Sequence, residues 1–161
     1  MLLRKANDRG KTKTDWLDSS HSFSFAEYHD AKWNRFHSLR VINEDTISPG
    51  SGFGTHGHQD MEILTLVLEG ALEHRDSMKN HEVIYPYQLQ KMSAGTGILH
   101  SEFNHYKDKP THFYQIWMLP KETGIKPSYQ TYDLKEVDNA ENGRLVASSN
   151  PEDNVIHLHQ D

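Results

Sequence analysis

Two pairs of residues in this chain have the types and spacing to hold a metal ion. His56 and His58 stand one residue apart in GFGTHGHQDMEILTLVLEG, from Gly52 to Gly70, and His100 and Glu102 repeat that spacing in GTGILHSEFNH, from Gly95 to His105. Residues i and i+2 of a strand point to one face with Cα atoms about 6.6 Å apart, so each pair can converge on one ion. A single H-x-H is weak: the chain carries 12 histidines, and two solvated imidazoles where a strand begins need no function. The second pair, again directly after glycines, changes that reading, because two such pairs on facing strands make a pocket with four ligands. With no cysteine in the chain, any metal is bound through nitrogen and oxygen. Three imidazoles and a carboxylate suit iron(II), nickel, manganese, copper or zinc, with iron(II) favoured here, and leave two positions of a six-coordinate ion open.

The elements that must position these residues are short strands. At 161 residues the chain is most simply one domain, large enough to bury about 70% of the surface its unfolded form exposes. SHSFSFAEY alternates from Ser20 to Phe25 as a half-buried strand, and FHSLRVINED, Phe36 to Asp45, reads as a second. EILTLVLEG, ALEHRDS, EVIYP, LQKMSAG, ILHSEFNH and HFYQIWMLP follow, separated by glycine, proline or polar clusters. That rhythm predicts an all-β sandwich or barrel, in which the stretch from Gln59 to Leu99 supplies the strands and tight turns that let the two pairs meet inside. After Pro120 the sequence turns polar and turn-rich, so residues 121–161 are expected to wrap the barrel formed by 1–120 or to act as a linker.

GSGFGTHGHQDMEILTLVLEG resembles the first cupin motif, with Glu62 one position early. GTGILHSEFN resembles the second, with His100 followed by Asn104 and Gly95-x-Gly97 in place of the usual proline-glycine turn. With FSFAEYHDAKWNRFHSLRVINED, HRDS and QIWMLPKETGIKPSYQ, which occur in order from about Arg4 to the last residue, the chain is similar to pirin and bacterial pirin-like proteins. The resemblance implies a cupin jelly-roll β-barrel and a metal held by His56, His58, His100 and Glu102. It also implies quercetin 2,3-dioxygenase-type activity, in which dioxygen opens a flavonol's heterocycle with loss of carbon monoxide and Glu102 accepts the hydroxyl proton. A different function class, a non-enzymatic metal-binding regulatory module acting through protein partners, needs the same four ligands. So does a structural zinc site in a sugar-binding or isomerase-type cupin. Pirin-like proteins carry two cupin barrels, and this chain ends about where the second would begin; an uncovered apolar face and a homodimer are therefore expected.

Other features weigh less. The formal net charge of -6 leaves no long-range positive field for nucleic acid or anionic membrane. Only Leu2 and Leu3 form an apolar run near the N-terminus, too short for a signal peptide or a membrane span, and the chain reads as cytoplasmic. Glu62 lies too far along its strand from His58 to share an ion, which predicts a hydrogen-bonding or supporting role. Gly50, Gly52 and Gly54 precede a β run, not the helix a dinucleotide fingerprint needs. Ser101 has no nucleophile-elbow context. His74, His105 and His112 are expected at the surface or as supports. His157 and His159 are expected on a frayed or surface strand without metal, and Phe23, Phe25, Phe53, Met61, Trp117 and Met118 in the core or the wall of a pocket.

Overall fold

The structure, a computed structural model, describes residues 3–136, 143, 145–150, 152–153 and 155–160. Among them the strands run β1 (Gly10–Lys13), β2 (Leu17–His21), β3 (Leu39–Ile47), β4 (Gly52–His58), β5 (Glu62–Glu69), β6 (Leu72–Asp76), β7 (His81–Ile84), β8 (Gln88–Ser93), β9 (Ile98–Asn104), β10 (Thr111–Met118), β11 (Ser128–Asp133), β12 (Ala147–Ser148) and β13 (Ile156–His157). Seven form one antiparallel sheet in the order β1-β2-β3-β10-β5-β8-β11, and four form a second in the order β4-β9-β6-β7. The all-β jelly roll expected from the sequence is present, as two facing sheets. Strand alternation breaks where SHSFSFAEY was expected to continue: β2 stops at His21, and Phe25 and Tyr28 exchange backbone hydrogen bonds across a tight turn with Ala26 at a positive φ of 47°.

Period-2 alternation sorts the large sheet's inner face into rows, because residues directly opposite in an antiparallel pair share a face. One row, Val41, Trp117, Ile63 and Met92, is apolar. The next, His21, Asn43, Gln115, Thr65 and Gln90, crosses five strands, is polar throughout and is buried. Beyond it Phe113 and Val67 return to apolar packing with Ile47, Leu72 and Ile84. The interior thus has two apolar ends, the second holding Ile63, Met92, Ala94 and Ile98, with a polar band between them. That band faces the site.

The outer side of the large sheet carries another core. Leu64 and Leu89 pack with Ile156, which has no exposure, and Leu66, Ile116, Met118, Tyr132, Leu134, Val146 and Leu158 close around them. The segment after Pro120, polar in composition, supplies apolar residues to this core and adds β11 to the sheet. His157 and His159 are not frayed: the His159 amide and Nδ1 reach the Glu62 carboxylate at 2.6 and 3.0 Å. Glu62 also accepts from Ser93 and lies 3.6 Å from the buried Lys91 ammonium. Burial alone would raise the Glu62 pKa, but these hydrogen bonds and the Lys91 charge outweigh it and hold the carboxyl below its usual range. This is the structural role the sequence predicts for Glu62.

Candidate metal centre

β4 and β9 are neighbours, and their register sets the site. His56 stands directly opposite His100, which is opposite Asp76 of β6; Phe53 stands opposite Glu102, which is opposite His74. Two residues separate Phe53 from His56 on β4 but only Ser101 separates Glu102 from His100 on β9, so β4 carries a β-bulge at Gly54-Thr55. The extra residue turns Phe53 and His56 to the same inner face despite their odd spacing. Close approach of the two strands needs Gly52, where a Cβ would run into the Glu102 carbonyl and the Phe103 Cα.

The three histidines converge. His100 Nε2 lies 2.9 Å from His56 Nε2 and 3.0 Å from His58 Nε2. His56 Nδ1 lies 2.8 Å from the Gly54 carbonyl inside the bulge; a carbonyl only accepts, so Nδ1 carries the proton and Nε2 presents a bare lone pair. Burial, reinforced by the neighbouring imidazoles, lowers the pKa of His58 to about 4 and that of His100 to about 2. The His58 and His100 rings are therefore neutral at pH 7, and the meeting of three Nε2 atoms is an arrangement that a cation among them suits. Three nitrogens held this way, with no sulfur nearby, fit a borderline divalent ion.

Glu102 is placed differently from the histidines. It is fully buried, and its carboxylate lies within 4.8 Å of a nitrogen of His100 and of His74, but the four predicted ligands do not form one group at that spacing. Its Oε2 accepts from Gln115 Nε2 at 2.6 Å, and Trp117 Nε1 donates to Gln115 Oε1 at 3.0 Å, which fixes the amide's orientation. Burial raises the Glu102 pKa to about 7, against the Gln115 hydrogen bond and with the Asp45 charge.

Beside His56 and Glu102 is a cavity of about 180 Å³ with two characters. Phe25, Phe53 and Trp117 form its aromatic wall; Ser19, Asn43, Asp45 and Gln115 form its polar one. Asp45 is buried and accepts from Ser19 through Oδ1; among the described residues Oδ2 has no partner, and burial lifts its pKa to about 6. A wider hollow of about 490 Å³ opens on the outside at Gly57, His58, Ser77 and Leu99.

The other histidines divide. His105 and His112 are partly exposed and meet Glu73 and Glu44, as expected of surface residues. His74 is fully buried beside His100, with ring centroids 5.3 Å apart. Sequence reasoning left it among surface or supporting residues and missed Gln115. The signal for Gln115 was a polar residue on the apolar face of HFYQIWM, with Phe113 and Trp117 on either side.

The chain is 51% identical over its whole length to the Escherichia coli protein named quercetin 2,3-dioxygenase, of which it covers 68%. The crystal structure of the E. coli protein YhhW superposes with a TM-score of 0.92 at 51% identity, over 98% of this chain and 66% of that one. A second, described as bacterial pirin YhhW in complex with nickel(II), superposes with a TM-score of 0.91 at 50% identity, over 98% and 67%. The chain thus spans about two thirds of the length of these relatives. Residues 3–118 match the profile of the family described as Pirin, and the chain belongs to the pirin family.

Proposed function

We propose that the chain is a metal-dependent flavonol dioxygenase of the quercetin 2,3-dioxygenase kind, holding Fe(II) through His56, His58, His100 and Glu102. The observation that carries this reading is the meeting of three imidazole Nε2 atoms at the wall of a cavity that is aromatic on one side and acidic on the other. The names of the E. coli relative and the nickel(II) complex of its family member support a divalent metal and this reaction class. When bound, the ion supplies Lewis acidity toward a flavonol hydroxyl and the electron transfer that dioxygen requires.

The protein's part is binding and proton handling. Phe25, Phe53 and Trp117 offer faces and edges to a flat ring. The cavity is smaller than the ~300 Å³ at which sites for drug-sized molecules begin, so one ring of a flavonol enters while the rest stays toward the opening. The unpartnered Asp45 oxygen accepts a hydroxyl, and two carboxyl groups without a lysine or arginine on the wall disfavour an anionic substrate. Glu102, with a pKa near neutrality and its Oε2 held by Gln115, is placed to take the 3-hydroxyl proton.

Oxygen uptake with quercetin tests the reading. Metal-loaded protein should consume oxygen and release carbon monoxide, and Glu102→Gln compared at equal metal occupancy should be slower by about 10²-fold or more, because an amide cannot take the proton. No uptake by iron-, nickel-, manganese- or copper-loaded protein would overturn it in favour of a metal-dependent binding module. Among the described residues no helix is long and apolar enough to cross a membrane.

A further inference from the structure

We propose that His74 is a positioning residue for the metal centre, holding the Nδ1–H of His100 through one buried water and so fixing His100 Nε2 as the coordinating nitrogen. The inference rests on the metal reading above and assigns a task to a residue outside the four ligands.

Hydrogen-bond inventory leads to it. A ring that offers Nε2 to a metal carries its proton on Nδ1, and ligating histidines nearly always donate that proton to a fixed acceptor. His56 does so to Gly54. His100 Nδ1 is buried without a partner, a situation that is destabilising if left unrelieved. On the adjacent strand His74 Nε2 meets Asp76 Oδ2 at 3.1 Å. A carboxylate only accepts, so that nitrogen carries the proton and His74 Nδ1 is a bare acceptor. It too is buried without a partner. One ring has an unmatched donor, and its neighbour, 5.3 Å away between centroids, an unmatched acceptor.

One water can reach both rings, and the count of polar partners suits it. A nitrogen of His74, a nitrogen of His100 and an oxygen of Glu102 all lie within 4.8 Å of one another. Atoms no more than 4.8 Å apart share a centre that is at most about 2.8 Å from each, so one water can reach all three. A buried water needs two to four polar partners. Here it accepts from His100 and donates to His74 and to Glu102, so the two orphaned nitrogens are matched. The far end is anchored: Asp76 Oδ1 accepts from the Met78 and Asn80 amides at 2.9 and 3.0 Å, and Oδ2 accepts from Asn80 Nδ2 at 2.8 Å. Tyr129 covers the His74 ring at 4.9 Å. The turn after β6 thereby sets the orientation of a ligand on β9.

Two measurements decide it. Nickel(II) affinity, read by competition with a chromogenic chelator, should fall about 10- to 100-fold in His74→Phe. His74→Asn, whose amide oxygen stands near the place of Nδ1, should bind closer to wild type than to His74→Phe. Unchanged affinity in a folded His74→Phe overturns the inference, whereas a wild-type chain that binds no nickel overturns the metal reading itself. Should His74→Phe fail to fold, nitrogen-15 imidazole spectra of the zinc-loaded wild-type protein settle the point. They should show a proton on Nδ1 of His100 and on Nε2 of His74; a proton on His74 Nδ1 overturns the inference.

Discussion

Glu102 is a carboxyl whose charge the metal-free protein accommodates poorly. Its native pKa of about 7 lies above the ordinary 4.5, so between those values the folded state binds a proton that the unfolded state does not. For an acid shifted this way, the stabilising contribution is full below about pH 4.5 and is lost as pH rises through 7. Glu102→Gln has nothing to lose. Relative to wild type it should gain stability between pH 5 and pH 8, on the order of 3 kcal/mol, in urea unfolding with chelator present. The depressed pKa values of His58 and His100 act in the opposite direction but are common to both proteins and cancel. A pH-independent difference would contradict the argument, and nickel should reverse the sign, since the carboxylate then faces a cation. The meeting of His56, His58 and His100 was legible in the sequence because two i, i+2 pairs, each directly after glycines at a strand start, point to one face. Gln115 and His74 were not legible. Their importance comes from what lies opposite them across strand pairs, and a linear spacing carries no cross-strand register.

The β4 bulge is an element-scale device that alternation alone does not reveal. Strict period 2 would put Phe53 and His56 on opposite faces; one extra residue reconciles them, and Gly52 lets the strand lie close to β9. The glycines of GSGFGTHGH marked the place but not the geometry. The tail was under-read for a related reason: Val146, Ile156 and Leu158 belong to two short apolar stretches, LVA and VIHL, set apart by a polar run, and only tertiary packing makes them a core. That core lies on the outer face of the large sheet, with the candidate metal residues on the inner face of the four-stranded one. Ile156→Ala should therefore lower stability by about 2–5 kcal/mol in urea unfolding while leaving nickel affinity at its wild-type value. Loss of both together would mean that the two faces of β5 are coupled.

At the scale of the whole molecule, the all-β architecture was readable from turn spacing and alternating runs, and the jelly-roll form from its motifs, because each strand's apolar face specifies where it must lie. What the pattern could not convey was a middle that is polar and two ends that are not. The row His21, Asn43, Gln115, Thr65 and Gln90 crosses the large sheet between two apolar clusters, and its consequence is calorimetric. Exposing apolar surface on unfolding raises heat capacity, whereas exposing polar surface lowers it. A chain of this length would ordinarily gain about 2 kcal/mol/K; with a buried polar band through its centre, this one should gain measurably less in differential scanning calorimetry. A smaller increment flattens the dependence of stability on temperature, so the native state should weaken less on cooling than a jelly roll of the same size filled with leucine and valine.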